Sequence, residues 1–232
     1  MMDNINKSLE KSIFSQEGKD LAVDYSEIAL DKILDSDLLN EIPIIKSVLG
    51  LYKIGLGIRE RHLVKKIAKF LFQLQDIPQV EKDKFLSSLA TNAKMKDEVL
   101  EKLILLLERL DDTEKAMIVG NLFKATINGN VNIDDFQKLC SIIDRGYIRD
   151  LKSFCIRNHP DTYDNFNIVS KYSYNSEVKK NLASLGLLTE EIDEKEDVAH
   201  NMRNGKNKKY KYSFKYRITD LGSILIKSGL DN

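Results

Sequence analysis

Three histidines, two cysteines and two Ser-x-x-Lys spacings are the features here whose residue types could do chemistry. Zinc needs His or Cys ligands grouped a few residues apart. His62, His159 and His200 fall in three different segments, so no two histidines stand at ligand spacing. Cys140 and Cys155 fall within what reads as one helix or two abutting ones. If that helix is continuous, their separation in sequence holds them roughly 22 Å apart, too far for a bridge. Ser8 with Lys11, and Ser176 with Lys179, match a nucleophile pattern that a lysine-rich chain produces by chance. Gly55-Leu56-Gly57 has Glu60 where a dinucleotide fingerprint needs its third glycine, and it follows no strand. No phosphate-cradling Gly-x-x-x-x-Gly-Lys-Ser/Thr occurs. Asp144, Arg145 and Asp150 could supply an acid or base, although charges on a solvated helix face are the commoner explanation. The expectation is a non-enzymatic protein with no cofactor and no metal.

The cations are better organised. Tyr210, Tyr212, Phe214, Tyr216 and Ile218 alternate with Lys209, Lys211, Ser213, Lys215 and Arg217. Period-two alternation with four aromatics predicts a half-buried β-strand or one arm of a hairpin, one face packed and the other carrying a row of cations. The pattern breaks at Thr219-Asp220, a helix N-cap followed by an acid in the first turn. Leu221, Ile224, Leu225 and Ile226 then stripe a short helix, with Gly229 at its C-terminal cap.

The elements that must position this strand are mostly helical. The chain has 36 basic and 36 acidic residues, so steering of a charged partner must come from local segregation of charge. Three prolines, eleven glycines and no tryptophan argue against an all-β protein. Two cysteines and no signal peptide indicate a reducing, cytoplasmic setting. Residues 1–16 read as a disordered N-terminus, and residues 17–157 as an antiparallel helical bundle. Residues 158–165 read as a linker, and residues 166–232 as a small second domain. Within the bundle, Asp111 with Glu114 frames a capping box, and Asn132 with Asp135 caps the next helix.

The run Ile42 to Ile58 is the most hydrophobic, but it is too short and too charged to span a membrane. Two readings follow. It is a core helix, or it lies in a membrane interface with Lys46, Lys53, Arg59, Arg61, Lys65 and Lys66 facing lipid headgroups. The second makes the protein a membrane-associated effector of the abortive-infection type.

Two resemblances add to this. Asn128, Gly129, Asn130, Val131, Asn132 and Asp135 resemble the back half of an EF-hand loop. Lys124 and Thr126 replace the first carboxylates that calcium requires, so only the helix–turn–helix geometry carries over. The flanking helices are similar to tellurite-resistance-type helical domains. More extensively, residues 176–228 resemble the second half of a winged-helix domain. Leu182, Leu185, Gly186, Leu187 and Leu188 match the phrase that ends its recognition helix. Tyr216, Ile218, Thr219, Leu221, Gly222 and Leu225 match its return strand and closing helix.

The winged-helix resemblance implies that Lys179, Lys180 and Asn181 lie on a recognition helix, with Lys206, Lys208, Lys209 and Lys211 along a wing touching phosphates. It makes the C-terminal unit a contact for nucleic acid or a protein partner through Lys208, Lys209, Lys211, Lys215 and Arg217. If the acidic stretch Glu190 to Asp197 folds back on the basic strand, it neutralises the cations and the unit becomes a protein-contact module. The bundle is then expected to supply self-association or the response to a second partner. The whole build looks like bacterial proteins carried on mobile elements, some of which serve in phage defence or stress response.

Overall fold

Leu, Ile, Lys and Glu favour helices, and helices dominate. The computed structural model describes residues 2–15, 42–51, 57–90, 93–157, 176–196 and 210–229. Among these residues are ten α-helices and one antiparallel two-stranded hairpin, so the protein is mainly α. The chain divides into two units, Met1–Asp144 with Asp231–Asn232, and Arg145–Leu230. The linker expected over 158–165 lies outside the described residues.

The first unit contains α1 (Met2–Phe14), α2 (Pro43–Leu51), α3 (Ile58–Phe72), α4 (Gln79–Ala90), α5 (Ala93–Arg109), α6 (Thr113–Ile127) and α7 (Ile133–Arg145). The N-terminus is therefore not disordered over residues 2–14, as its polar composition suggested. Leu9 and Ile13 stand one helical turn apart and are fully buried. Their burial supplies the tertiary packing that a short helix needs. Ser12 reinforces it, accepting a bond from the Ile44 amide at 3.0 Å and so satisfying an orphan donor at the start of α2. Pro43 opens α2, where its missing N–H costs nothing.

The core is organised around Phe123 on α6. Its ring centroid lies 5.2 Å from Phe136, 5.7 Å from Phe85 and 5.8 Å from Phe70. Helices α3 and α6 pass so closely that a Cβ at Gly120 would sit 2.8 Å from the Phe70 carbonyl oxygen. Helix α6 starts one residue later than the capping box implied, because Asp112 accepts from the Glu114 amide at 2.7 Å. Asp111 instead pairs with the buried Lys115 at 2.7 Å. The Asn132 cap forms as expected, with its Oδ1 accepting from the Asp135 amide at 2.8 Å.

The second unit contains α8 (Ile148–Arg157), α9 (Ser176–Ser184), β1 (Leu188–Glu196), β2 (Tyr210–Ile218) and α10 (Asp220–Ser228). The two sequence phrases of the winged-helix resemblance meet at one turn. Gly186 takes φ 82°, a left-handed conformation that glycine adopts without a Cβ penalty. The Leu187 amide then reaches back to the Leu182 carbonyl at 3.0 Å, and the Gly186 amide to Ala183 at 2.9 Å, a Schellman ending for α9. Thr219 Oγ1 donates to the Gly186 carbonyl at 2.7 Å and accepts from the Gly222 amide at 3.0 Å, capping α10. At Gly222 a Cβ would stand 2.5 Å from the Leu187 carbonyl oxygen, so the first turn of α10 lies directly on the turn after α9.

A candidate partner-binding hairpin

Strands β1 and β2 pair in antiparallel register, Leu188 opposite Ile218, Glu190 opposite Tyr216, Ile192 opposite Phe214 and Glu194 opposite Tyr212. Directly opposed residues share a face, and alternate residues change face. One face therefore collects Leu188, Glu190, Ile192 and Glu194 with Tyr210, Tyr212, Phe214, Tyr216 and Ile218. The other collects Thr189 and Glu191 with Lys215 and Arg217. The acidic stretch is thus the strand partner of the basic one. β1 carries five acids and one lysine, and β2 carries three cations, so the two strands together lean acidic.

The aromatic face is packed only at its root. Leu187, Leu188 and Tyr216 are buried, whereas Ile192 is 68%, Tyr212 65% and Phe214 60% exposed. This departs from the half-buried strand that the alternation predicts. A nine-residue strand extends about 30 Å, and the core of this unit covers only the end near Tyr216. The exposed part is bordered by carboxylates held in place by the tyrosines. Tyr216 donates to Glu190 at 2.7 Å and Tyr212 to Glu194 at 3.1 Å. The hydrogen bond to the Glu190 carboxylate, with burial, pushes the Tyr216 phenol up to about 12. The Glu194 carboxylate raises Tyr212 in the same way.

The expected contact residues among those described separate into three groups. Lys215 and Arg217 are exposed on the second face, Arg217 with its Nε 3.1 Å from Glu191. Lys180 and Asn181 are exposed on α9. Lys179 is buried, its Nζ 5.8 Å from the centre of the Tyr216 ring, and desolvation lowers its pKa. It braces α9 against β2 and does not present a charge to solvent. The backbone of Lys211 lies in β2 opposite Lys195. Lys206, Lys208 and Lys209 lie outside the described residues.

The set proposed to face lipid does not form a common surface. Lys46 and Arg61 are exposed, and Lys65 is half-buried. Arg59 is paired with Glu108 at 2.7 Å. Lys66 is buried and donates to the Glu108 and Leu110 carbonyls at 2.7 Å each, closing the C-terminal end of α5. Desolvation lowers its pKa despite the nearby Glu108 carboxylate. Ile42, Ile44, Ile45 and Val48 are buried, so the described part of α2 offers no apolar face to lipid. Lys53 lies outside the described residues. Among those residues no helix is long and apolar enough to cross a membrane, and no cluster of three His, Cys, Asp or Glu could hold a metal.

Sequence reasoning singled out the cations of β2 and took Glu190 to Asp197 only as their counter-charge, passing over Ile192 and the face that Glu190 and Glu194 share with it. The signal was present: Leu188, Glu190, Ile192 and Glu194 recur at period two within the acidic run. No protein family, curated protein or solved structure matches the chain.

Proposed function

We propose that this protein is a non-enzymatic binding and regulatory protein whose winged-helix-like C-terminal unit docks a protein partner on the aromatic face of its hairpin. The observation that carries the reading is the exposed trio Ile192, Tyr212 and Phe214, adjacent in register and flanked by Glu190 and Glu194. Exposed aromatics of this kind are typical interface anchors, combining large apolar area with little side-chain entropy to lose. The carboxylates on the same face repel phosphates and ask for a partner whose apolar recess is rimmed by Lys or Arg. A place in phage defence or stress response rests on resemblance of build alone.

A nucleic-acid reading draws on the exposed Lys180, Asn181 and Lys215, and one pair of experiments separates the two. A photo-crosslinking residue at Tyr212 is expected to capture a protein whose adduct disappears in Phe214→Ser/Ile192→Ser and persists in Lys215→Glu/Arg217→Glu. The purified partner should then lose at least about tenfold in affinity with the first variant and little with the second. Duplex DNA binding with a steep salt slope that flattens in Lys215→Glu/Arg217→Glu would instead establish phosphate contact and overturn the protein reading.

A further inference from the structure

The first unit has a cleft of about 300 Å³ between α5 and α7, at the small end of ligand-binding cavities. Its chemistry is graded along its length. The floor is apolar, formed by Leu103, Leu106 and Phe136, all buried. The Cys140 thiol joins this floor, and burial raises its pKa so that it behaves as a small hydrophobe. One end is closed by an ion pair, with Arg109 Nε 2.8 Å from Asp144 Oδ2. Two helical turns back from each member of that pair stand Lys102 and Gln137, about 10 Å away along the helix axes. Both line the cleft, and Lys102 is exposed with no ion pair among the described residues.

The geometry points to a binding site for a medium-chain carboxylate, an amphiphile with an anionic head and a hydrocarbon tail. The head belongs at the Lys102 end, where an ammonium and the Gln137 amide can both donate to it. The Arg109 end is unsuited to an anion because Asp144 already compensates the guanidinium. The tail lies over Leu103, Leu106, Phe136 and Cys140. The 10 Å of helix between the ends matches an octanoyl-to-decanoyl chain. A partner helix about 10 Å across does not fit a cavity of this volume.

The test is calorimetric titration of the full chain with decanoate, and with decyltrimethylammonium as an equal tail bearing the opposite charge. Decanoate is expected to bind with one site per chain, and the ammonium amphiphile at least about tenfold more weakly. Lys102→Glu should cost decanoate about tenfold or more. Ser141→Trp, which fills the cleft from an exposed position, should abolish binding while circular dichroism shows the helices unchanged. Equal binding of the two amphiphiles, decanoate binding that survives Lys102→Glu or Ser141→Trp, or no decanoate binding at all overturns the proposal.

Discussion

The helical bundle and the hairpin treat charge and apolar surface in opposite ways. In the bundle, Lys66 and Lys115 are taken inside and bonded to helix-terminal carbonyls, while Phe123 and its neighbours Phe70 and Phe136 are buried. In the hairpin, Lys215 and Arg217 stay in water, and Ile192, Tyr212 and Phe214 are uncovered. Burying an ammonium costs several kcal/mol unless acceptors replace its water, so the bundle's arrangement is tolerated only because it closes helix ends. Leaving large apolar side chains partly in water forgoes up to about 1.5–3 kcal/mol each. A face left uncovered by the described residues is what the proposed docking requires. On the function proposed above, stability lies in the bundle and recognition in the hairpin.

The sharpest way to break that division is Phe123→Ala. The ring makes three aromatic contacts within one core, and its removal should cost about 3–5 kcal/mol. Denaturant unfolding followed by circular dichroism would measure it. A loss below about 1 kcal/mol would mean that the bundle core is not where the stability lies.

Lys66→Met comes next, at about 1–3 kcal/mol. Methionine keeps the packing of the alkyl stem, but it leaves the Glu108 and Leu110 carbonyls without their donor. Part of that loss is offset because no ammonium then has to be desolvated. A variant as stable as the parent would show that water serves those carbonyls equally well, and the contrast in the handling of charge would weaken.

These two residues also show what the sequence could convey. Phe123 and Gly120 were readable as helix interior, but the close passage of α3 and α6 was not, because a helical pattern carries no partner address. Lys66 read as one of a basic cluster, since periodicity cannot separate a lysine in solvent from one turned onto a helix end. Lys179 was misplaced for the same reason, its long stem lying over Tyr216. The turn after α9 was legible in full. Gly186, Thr219 and Gly222 each have a backbone reason, and backbone reasons are local. The hairpin was half legible: alternation assigned residues to faces, and it could not say which face another element would cover. At the N-terminus, Leu9 and Ile13 gave a turn-spaced pair too short to outweigh a polar context until α2 packed beside it.

Tyr216 lies where the packed root of the hairpin meets its exposed part, and it tests the boundary between them. Its phenol is held protonated by Glu190, up to about 12. A raised acid pKa stabilises the fold fully below the unfolded value near 10, and that stabilisation is lost as pH rises from there through about 12. Tyr216→Phe should therefore cost about 1 kcal/mol at neutral pH, less than a buried hydrogen bond to a charged group because the Glu190 carboxylate is exposed. It should also remove one late-titrating phenol from the alkaline absorbance titration. A phenol that titrates near 10 would place the root of the hairpin in open solvent.

The smallest expected change in stability belongs to Phe214→Ser, and it sharpens the comparison most. Phe214 is 60% exposed, its cross-strand neighbour Ile192 is equally uncovered, and the described carboxylates on their face are bonded to tyrosines. Removing the ring loses one exposed cross-strand pair, worth about 0.2–1 kcal/mol, and opens no cavity. Chemical denaturation should place the variant within about 1 kcal/mol of the parent, several-fold below Phe123→Ala. Partner affinity should move the other way, falling at least about tenfold. If Phe214→Ser instead unfolds the protein as readily as Phe123→Ala, the aromatic face is covered in solution, and the hairpin is part of the scaffold.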